Sequence, residues 1–107
     1  MIIGLGSDIC NIRRVEKAYE RFGGRFLARC FGAEERRELD AIGGDKARFT
    51  ASLAKRFAAK EAFVKALGTG FAHGISWAEI EVVHLPGGRP AFRVSGQAEA
   101  VLKKIIP

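Results

Sequence analysis

Cysteine is scarce in this chain: only Cys10 and Cys30 occur. Two residues cannot form a disulfide framework, and no C-x-x-C or second pair offers a zinc site. Both read as free thiols, which fits a reducing, cytoplasmic setting. Histidine is equally sparse. His73 and His84 have no neighbours at metal-ligand spacing and read as surface or packing residues. No apolar run approaches the roughly 18 residues that a membrane-spanning helix needs, so no membrane role is expected. The segment Met1-Ile2-Ile3-Gly4-Leu5-Gly6 has neither the basic start nor the long apolar stretch of a secretory signal. Repeats, low-complexity tracts and linkers are lacking, as are helix-turn-helix, zinc and RNP-type signatures of nucleic-acid binding.

What is present describes one globular domain over residues 1–107. At 107 residues with 48% hydrophobic and 28% charged residues, the chain can bury a core without disulfides. Eighteen Lys+Arg against twelve Asp+Glu leave +6, which points to an acidic partner without naming it.

The hydrophobic pattern predicts an α+β domain in the order βαααββα. Ile2 to Ile9 is rich in β-branched and apolar residues and reads as a first strand. Ile12, Val15, Tyr19 and Phe22 then recur at helical spacing, and Gly23-Gly24 supplies a stop. A second helix is expected from Ala33 to Ile42, and a third from about Thr50 to Leu67, with Gly68 placed as a left-handed cap. Ser76 to Leu85 and Pro90 to Ser95 read as a hairpin across Pro86-Gly87-Gly88, followed by a helix over Gln97 to Ile106.

Three groups of residues carry possible chemistry. Arg13, Arg14, Lys17 and Arg21 lie opposite the apolar arc of the first helix. They form either a solvated face or a docking stripe for an acidic helix or phosphates. The third helix places Glu61 at the margin of an apolar side formed by Leu53, Phe57 and Val64. A Glu61–Lys65 helix pair would account for that carboxylate at ~0.3–0.5 kcal/mol. It would not account for Arg56 and Lys60, whose excess charge suggests an anionic ligand. Gly68-Thr69-Gly70 is either a plain helix cap or a loop that lets backbone approach a ligand. Asp8 reads as a turn or capping residue, or as an oxygen ligand for a hard cation. Asp8 with Glu61 would suffice for Mg²⁺, but spacing alone does not show that they meet.

These residues resemble a known family. Gly4-Leu5-Gly6-Ser7-Asp8-Ile9 resembles its G-x-G-x-D strand, and the run from Arg56 to Gly70 resembles its (W/F)-A-x-K-E-A-x-x-K-A-x-G helix. Gly87-Gly88-Arg89-Pro90 is similar to its G-(K/R)-P turn. Together they look like the holo-[acyl-carrier-protein] synthases, the small 4′-phosphopantetheinyl transferases. One departure stands out. The family usually continues with an H-x-S-x-(S/T)-H-like strand and a final apolar strand, which contribute to the sheet and add a histidine near the cofactor. This chain ends at Ile105-Ile106-Pro107.

The resemblance implies a small antiparallel sheet packed with a long helix, and a Mg²⁺-dependent transfer of 4′-phosphopantetheine from coenzyme A to a serine of apo acyl carrier protein. Asp8 and Glu61 would hold Mg²⁺. Lys65 would hold a phosphate of coenzyme A, Arg56 and Lys60 would lie along the same ligand, and Gly68, Thr69 and Gly70 would pass close to it. Arg14, with Arg13, Lys17 and Arg21, would meet the acidic helix of the carrier protein. Glu61 acting through a bound water, or a hydroxide on the ion, would take the serine proton. Trimers with sites at subunit interfaces are typical of the family. The competing reading is a non-enzymatic basic module that binds nucleic acid or another partner. Salt dependence would not separate the two, because docking on an acidic protein also weakens with salt.

Overall fold

The computed structural model describes residues 5–68 and 74–105, with side chains described from residue 13 onward. Among the described residues, five helices and one hairpin make an α+β fold: α1 Leu5–Phe22, α2 Gly24–Cys30, α3 Ala33–Asp40, α4 Lys46–Leu67, a 3-10 turn Trp77–Glu79, β1 Ile80–His84, β2 Pro90–Val94 and α5 Gly96–Ile105.

The expected first strand is corrected. Leu5 to Ile9 lie in the opening turns of α1, and Ile2 to Gly4 fall outside the described residues. The physical reason is pairing. A strand must find ladder partners for its backbone groups, whereas a helix satisfies them within itself. Among the described residues the sheet has only β1 and β2. The short helix α2 was not anticipated. Gly23 separates it from α1, so the glycine pair marks a corner, not a loop. α4 begins a turn earlier than Thr50 because the Asp45 carboxylate accepts the Arg48 backbone N–H at 3.1 Å. Its other end is as expected: Gly68 takes the left-handed conformation at φ 78°, and its N–H donates to the Lys65 carbonyl. The segment expected to be extended from Ser76 first makes the 3-10 turn and only then becomes β1.

The hairpin is antiparallel, with Val82 opposite Phe92 and His84 opposite Pro90. α4 organises the whole fold. At 22 residues it is about 33 Å long, enough to serve two separate cores. Its first half packs with α1, α2 and α3 around Val15, Phe31, Leu39 and Leu53. Its second half packs through Val64 against Ile75, Ile80, Ala98 and Val101, joining the hairpin and α5. Between them Phe57 stacks on Trp77 with ring centroids 4.2 Å apart, and Phe26 stacks on Phe57 at 6.4 Å. α1 packs antiparallel to α4: Tyr19 meets Phe49 at 5.2 Å, while Arg14 and Val15 share a groove with Phe57. No helix among the described residues is long and apolar enough to cross a membrane.

Candidate active site and docking face

The buried face of α4 is only partly apolar. Leu53, Arg56, Lys60 and Val64 are all buried, and at about 100° per residue Lys60 falls within about 20° of Leu53. Lys60 is wholly inaccessible. Its three N–H groups go to Glu35 Oε1 at 2.5 Å, the Cys30 carbonyl at 2.5 Å and the Trp77 carbonyl at 3.0 Å. Its ammonium also lies 4.6 Å from the Phe31 ring centroid. Burial pulls the Lys60 pKa down, and Glu35 pulls it back up. The expectation that Lys60 lies along a ligand is therefore corrected: an ammonium has three donors, and all three are engaged inside the protein.

Arg56 is intermediate between the two roles. Its guanidinium donates to Ser52 Oγ at 3.1 Å, to Glu38 Oε1 at 2.8 Å and to the Val82 carbonyl. It also stands 3.7 Å from Glu35 Oε2. A guanidinium has five N–H groups, so donors remain. Arg56 borders a cavity of about 740 Å³, together with Glu38, Arg48, Lys55, His84 and Pro90.

Glu35 and Glu38 of α3 are what sequence reasoning missed. Beyond Lys60, Glu35 accepts the Gly32 N–H at 3.2 Å and the Val82 N–H at 3.0 Å. Glu38 accepts the His84 N–H at 3.0 Å and His84 Nδ1 at 2.8 Å. Two carboxylates thus cover N–H groups on the edge of β1 that faces away from β2. That edge would otherwise be open to foreign strands. Glu81 completes the network by accepting the Glu35 N–H at 3.1 Å. The available signal was the position of Lys60 inside the Leu53–Val64 arc, which requires a buried anion to match it.

Further along α4 the surroundings change. Glu61 is half-buried, and no described residue donates to it or pairs with it; the Glu61–Lys65 pair is not formed. Lys65 is exposed in the last helical turn, beside the left-handed Gly68. Thr69 and Gly70 lie outside the described residues, as does the side chain of Asp8. No group of three or more His, Cys, Asp or Glu side chains converges on a metal position among the described residues. What fits Mg²⁺ is the Glu61 carboxylate: a hard oxygen donor on a packed helix, left without a described cationic partner. The antiparallel packing of α1 carries its opening turns toward this half of α4.

Arg13, Arg14, Lys17 and Arg21 are all exposed on α1. Arg14 and Lys17 rim a groove of about 310 Å³ floored by Val15, Phe26 and Phe57. Through Phe26 and Ala18 it continues into a second groove of about 460 Å³ with Phe22, Arg25 and Arg29. Phe22 remains 48% exposed, with the Arg21 guanidinium 5.2 Å from its ring centroid. The basic stripe therefore has an apolar floor and extends onto α2, which the sequence reading did not include.

Comparison with known proteins decides the family. The family model of the 4′-phosphopantetheinyl transferase superfamily matches residues 4–105. The chain belongs to that superfamily. Holo-[acyl-carrier-protein] synthases of Agrobacterium fabrum and Rhizobium leguminosarum are 56% and 53% identical to it over all 107 residues, which span 77% of each relative. Among solved structures, the holo-[acyl-carrier-protein] synthase of Neisseria meningitidis superimposes with a TM-score of 0.75 at 34% identity, covering 88% of this chain and 72% of that one. The Bacillus anthracis enzyme, solved in complex with CoA (3′,5′-ADP), gives a TM-score of 0.65 at 35% identity over 79% of this chain and 69% of that one. The transferase fold reported for these relatives is the α+β arrangement seen here. Within it, the buried Cys30 is no nucleophile: burial pushes its thiol up, against the pull of Lys60 and Arg29.

Proposed function

We propose that this chain transfers the 4′-phosphopantetheine group of coenzyme A to a serine of an apo acyl carrier protein, releasing 3′,5′-ADP. The observation that carries this reading is the family match along nearly the whole chain, joined to an α4 that presents Glu61 and Lys65 beside the left-handed Gly68. The serine hydroxyl attacks the β-phosphate of coenzyme A, and the nucleotide leaves. Such a transfer depends mainly on positioning and on neutralising charge. Asp8 and Glu61 would hold Mg²⁺, which when bound would neutralise charge on the pyrophosphate. Lys65 supplies a point cation for a phosphate. Glu61 is the proposed proton acceptor for the serine, through water. Gly68, Thr69 and Gly70 would let backbone pass close to the donor.

The cavity beside Arg48, Lys55 and Arg56 suits the anionic nucleotide end of coenzyme A in size and in charge. At about 100° per residue Arg56 and Lys65 leave α4 from opposite sides. We propose, as the family resemblance implies, that sites form between subunits of a homotrimer, with the nucleotide cavity of one copy facing Glu61 and Lys65 of the next. The carrier protein's acidic helix would dock on Arg13, Arg14, Lys17 and Arg21, with Arg25 and Arg29 extending the cationic rim. Phe22, Phe26 and Phe57 would supply apolar contact. The cytoplasm, where coenzyme A is available, is the proposed setting.

The test is incubation with coenzyme A, Mg²⁺ and an apo carrier protein, followed by intact-mass measurement of the carrier. A gain of one phosphopantetheine is expected. No gain, with a control transferase active on the same carrier, would overturn the reading.

A further inference from the structure

Glu38 is the one acidic side chain on the wall of the 740 Å³ cavity among the described residues, where it stands beside Arg48, Lys55 and Arg56. A carboxylate there repels any anion that the cations attract, so its placement calls for another reason. Its contacts supply one. Glu38 Oε1 accepts Arg56 Nη2–H at 2.8 Å and meets His84 Nδ1 at 2.8 Å, while Oε2 accepts the His84 backbone N–H at 3.0 Å. The carboxylate thus ties α3 to the end of β1 and to the guanidinium of α4. On its other sides that guanidinium donates through Nε to Ser52 Oγ at 3.1 Å and through Nη1 to the Val82 carbonyl. Each of its nitrogens is therefore fixed by a partner from a different element: α4, β1 and α3. These bonds use three of the five N–H groups, and Glu35 Oε2 at 3.7 Å is too far for a fourth. Donors remain on a guanidinium whose plane is fixed.

We propose that Glu38 is a positioning residue: it fixes the Arg56 guanidinium so that the unused N–H groups of Arg56 meet a phosphate of the nucleotide held in this cavity. This rests on the reading that the cavity takes the nucleotide end of coenzyme A. Two effects of opposite sign compete. As a bare charge, Glu38 weakens anion binding, but its side chain is 27% exposed, and solvent screens that repulsion. As an anchor, it removes rotamer freedom that Arg56 would otherwise lose on binding, and it keeps the planar fork in place. Without Glu38 the guanidinium is released at Nη2 and can turn to the buried carboxylate of Glu35, 3.7 Å away, where it is lost to a ligand. Anchoring outweighs repulsion, so removing this negative charge lowers affinity for a negative ligand.

The probe is 3′,5′-ADP, with binding measured by calorimetry. Glu38→Ala is expected to bind it about tenfold more weakly than the wild type. Ser52→Ala loosens the same guanidinium from the α4 side and is expected to weaken binding about threefold. Partial unfolding lowers the number of sites titrated, whereas a misplaced guanidinium lowers the affinity of each site, so the two are read separately. In an Arg56→Gln background, adding Glu38→Ala is expected to cause no further weakening, because the anchor then has nothing to hold. Equal or tighter binding by Glu38→Ala, or the same loss with and without Arg56, overturns the role of Glu38. If the wild type still binds 3′,5′-ADP and transfers phosphopantetheine to a carrier, the transferase reading survives that result. If the wild type neither binds 3′,5′-ADP nor transfers, both fall together.

Discussion

Lys60 Nζ and Glu35 Oε1 lie 2.5 Å apart, and neither side chain has any exposed surface. This ion pair joins α4 to α3 at the centre of the fold. Glu35 in turn reaches β1 through the Val82 N–H. Three elements therefore meet on one carboxylate. Removing one partner strands the other as an uncompensated buried charge. Lys60→Met or Glu35→Ala is expected to destabilise the protein by about 3–5 kcal/mol, measured by urea unfolding. The double variant Lys60→Met/Glu35→Leu should recover much of that loss. A Lys60→Met variant as stable as wild type would show that the pair does not hold the core.

Glu38 sets an acid limit on stability. Its carboxyl titrates at about 2 in the fold against an ordinary 4.5. A depressed folded pKa stabilises above the unfolded value and is lost as pH falls toward the folded one. The contribution, on the order of 1–3 kcal/mol after solvent screening, should disappear between about pH 5 and pH 2. Thermal melts of wild type and Glu38→Gln should converge over that window. Parallel curves would contradict the assignment.

Glu61 should matter to turnover and little to folding. It is only partly buried and has no described partner. Glu61→Gln is expected to cut phosphopantetheine transfer by about 100-fold or more, with an unchanged unfolding midpoint. Chelation of Mg²⁺ should abolish transfer by the wild type, with recovery on re-addition. Wild-type rates from Glu61→Gln would remove that residue from the site.

The basic groove predicts a charge-reversal effect confined to the protein substrate. Arg14→Glu with Lys17→Glu should raise the KM for the carrier protein by about tenfold or more, equivalent to ~1.4 kcal/mol, while the KM for coenzyme A holds. The wild-type KM for the carrier should also rise with salt, and less steeply in the variant. Equal loss toward both substrates would show that the groove is not the docking face.

Gly32 tests the packing of the buried network. Its φ of −74° suits any residue, so conformation does not demand glycine. Space does: a Cβ there would collide with the Glu81 side chain. Gly32→Ala is expected to cost about 1–3 kcal/mol by urea unfolding. An unchanged midpoint would mean that Glu81 moves aside freely.

Much of this architecture was legible in the residues themselves. The helical period of Val15, Tyr19 and Phe22, the Gly68 cap and the Pro86-Gly87-Gly88 turn each encode a local conformation, and local conformation is what short-range pattern reports. The family motif around Glu61 and Lys65 was legible for the same reason: its residues sit within a few positions of one another on one helix. Asp45 as the cap of α4 stands in the sequence too, directly after Gly43-Gly44, yet the run rich in Ala, Leu, Lys and Glu put the start at about Thr50. The strand expected over Ile2 to Ile9 shows the opposite limit, since β-branched composition cannot supply a pairing partner.

By itself, the sequence determined the α+β class, the cationic stripe of α1 and the carboxylate-plus-lysine pattern of α4, because these follow from composition and spacing along single elements. Only the tertiary structure decided which cations are available to a ligand. Lys60 and Lys65 look alike in the chain, but one faces Glu35 in the interior and the other faces solvent. A charge carries no record of its distant counterpart, and whether it is matched depends on which helices pack together.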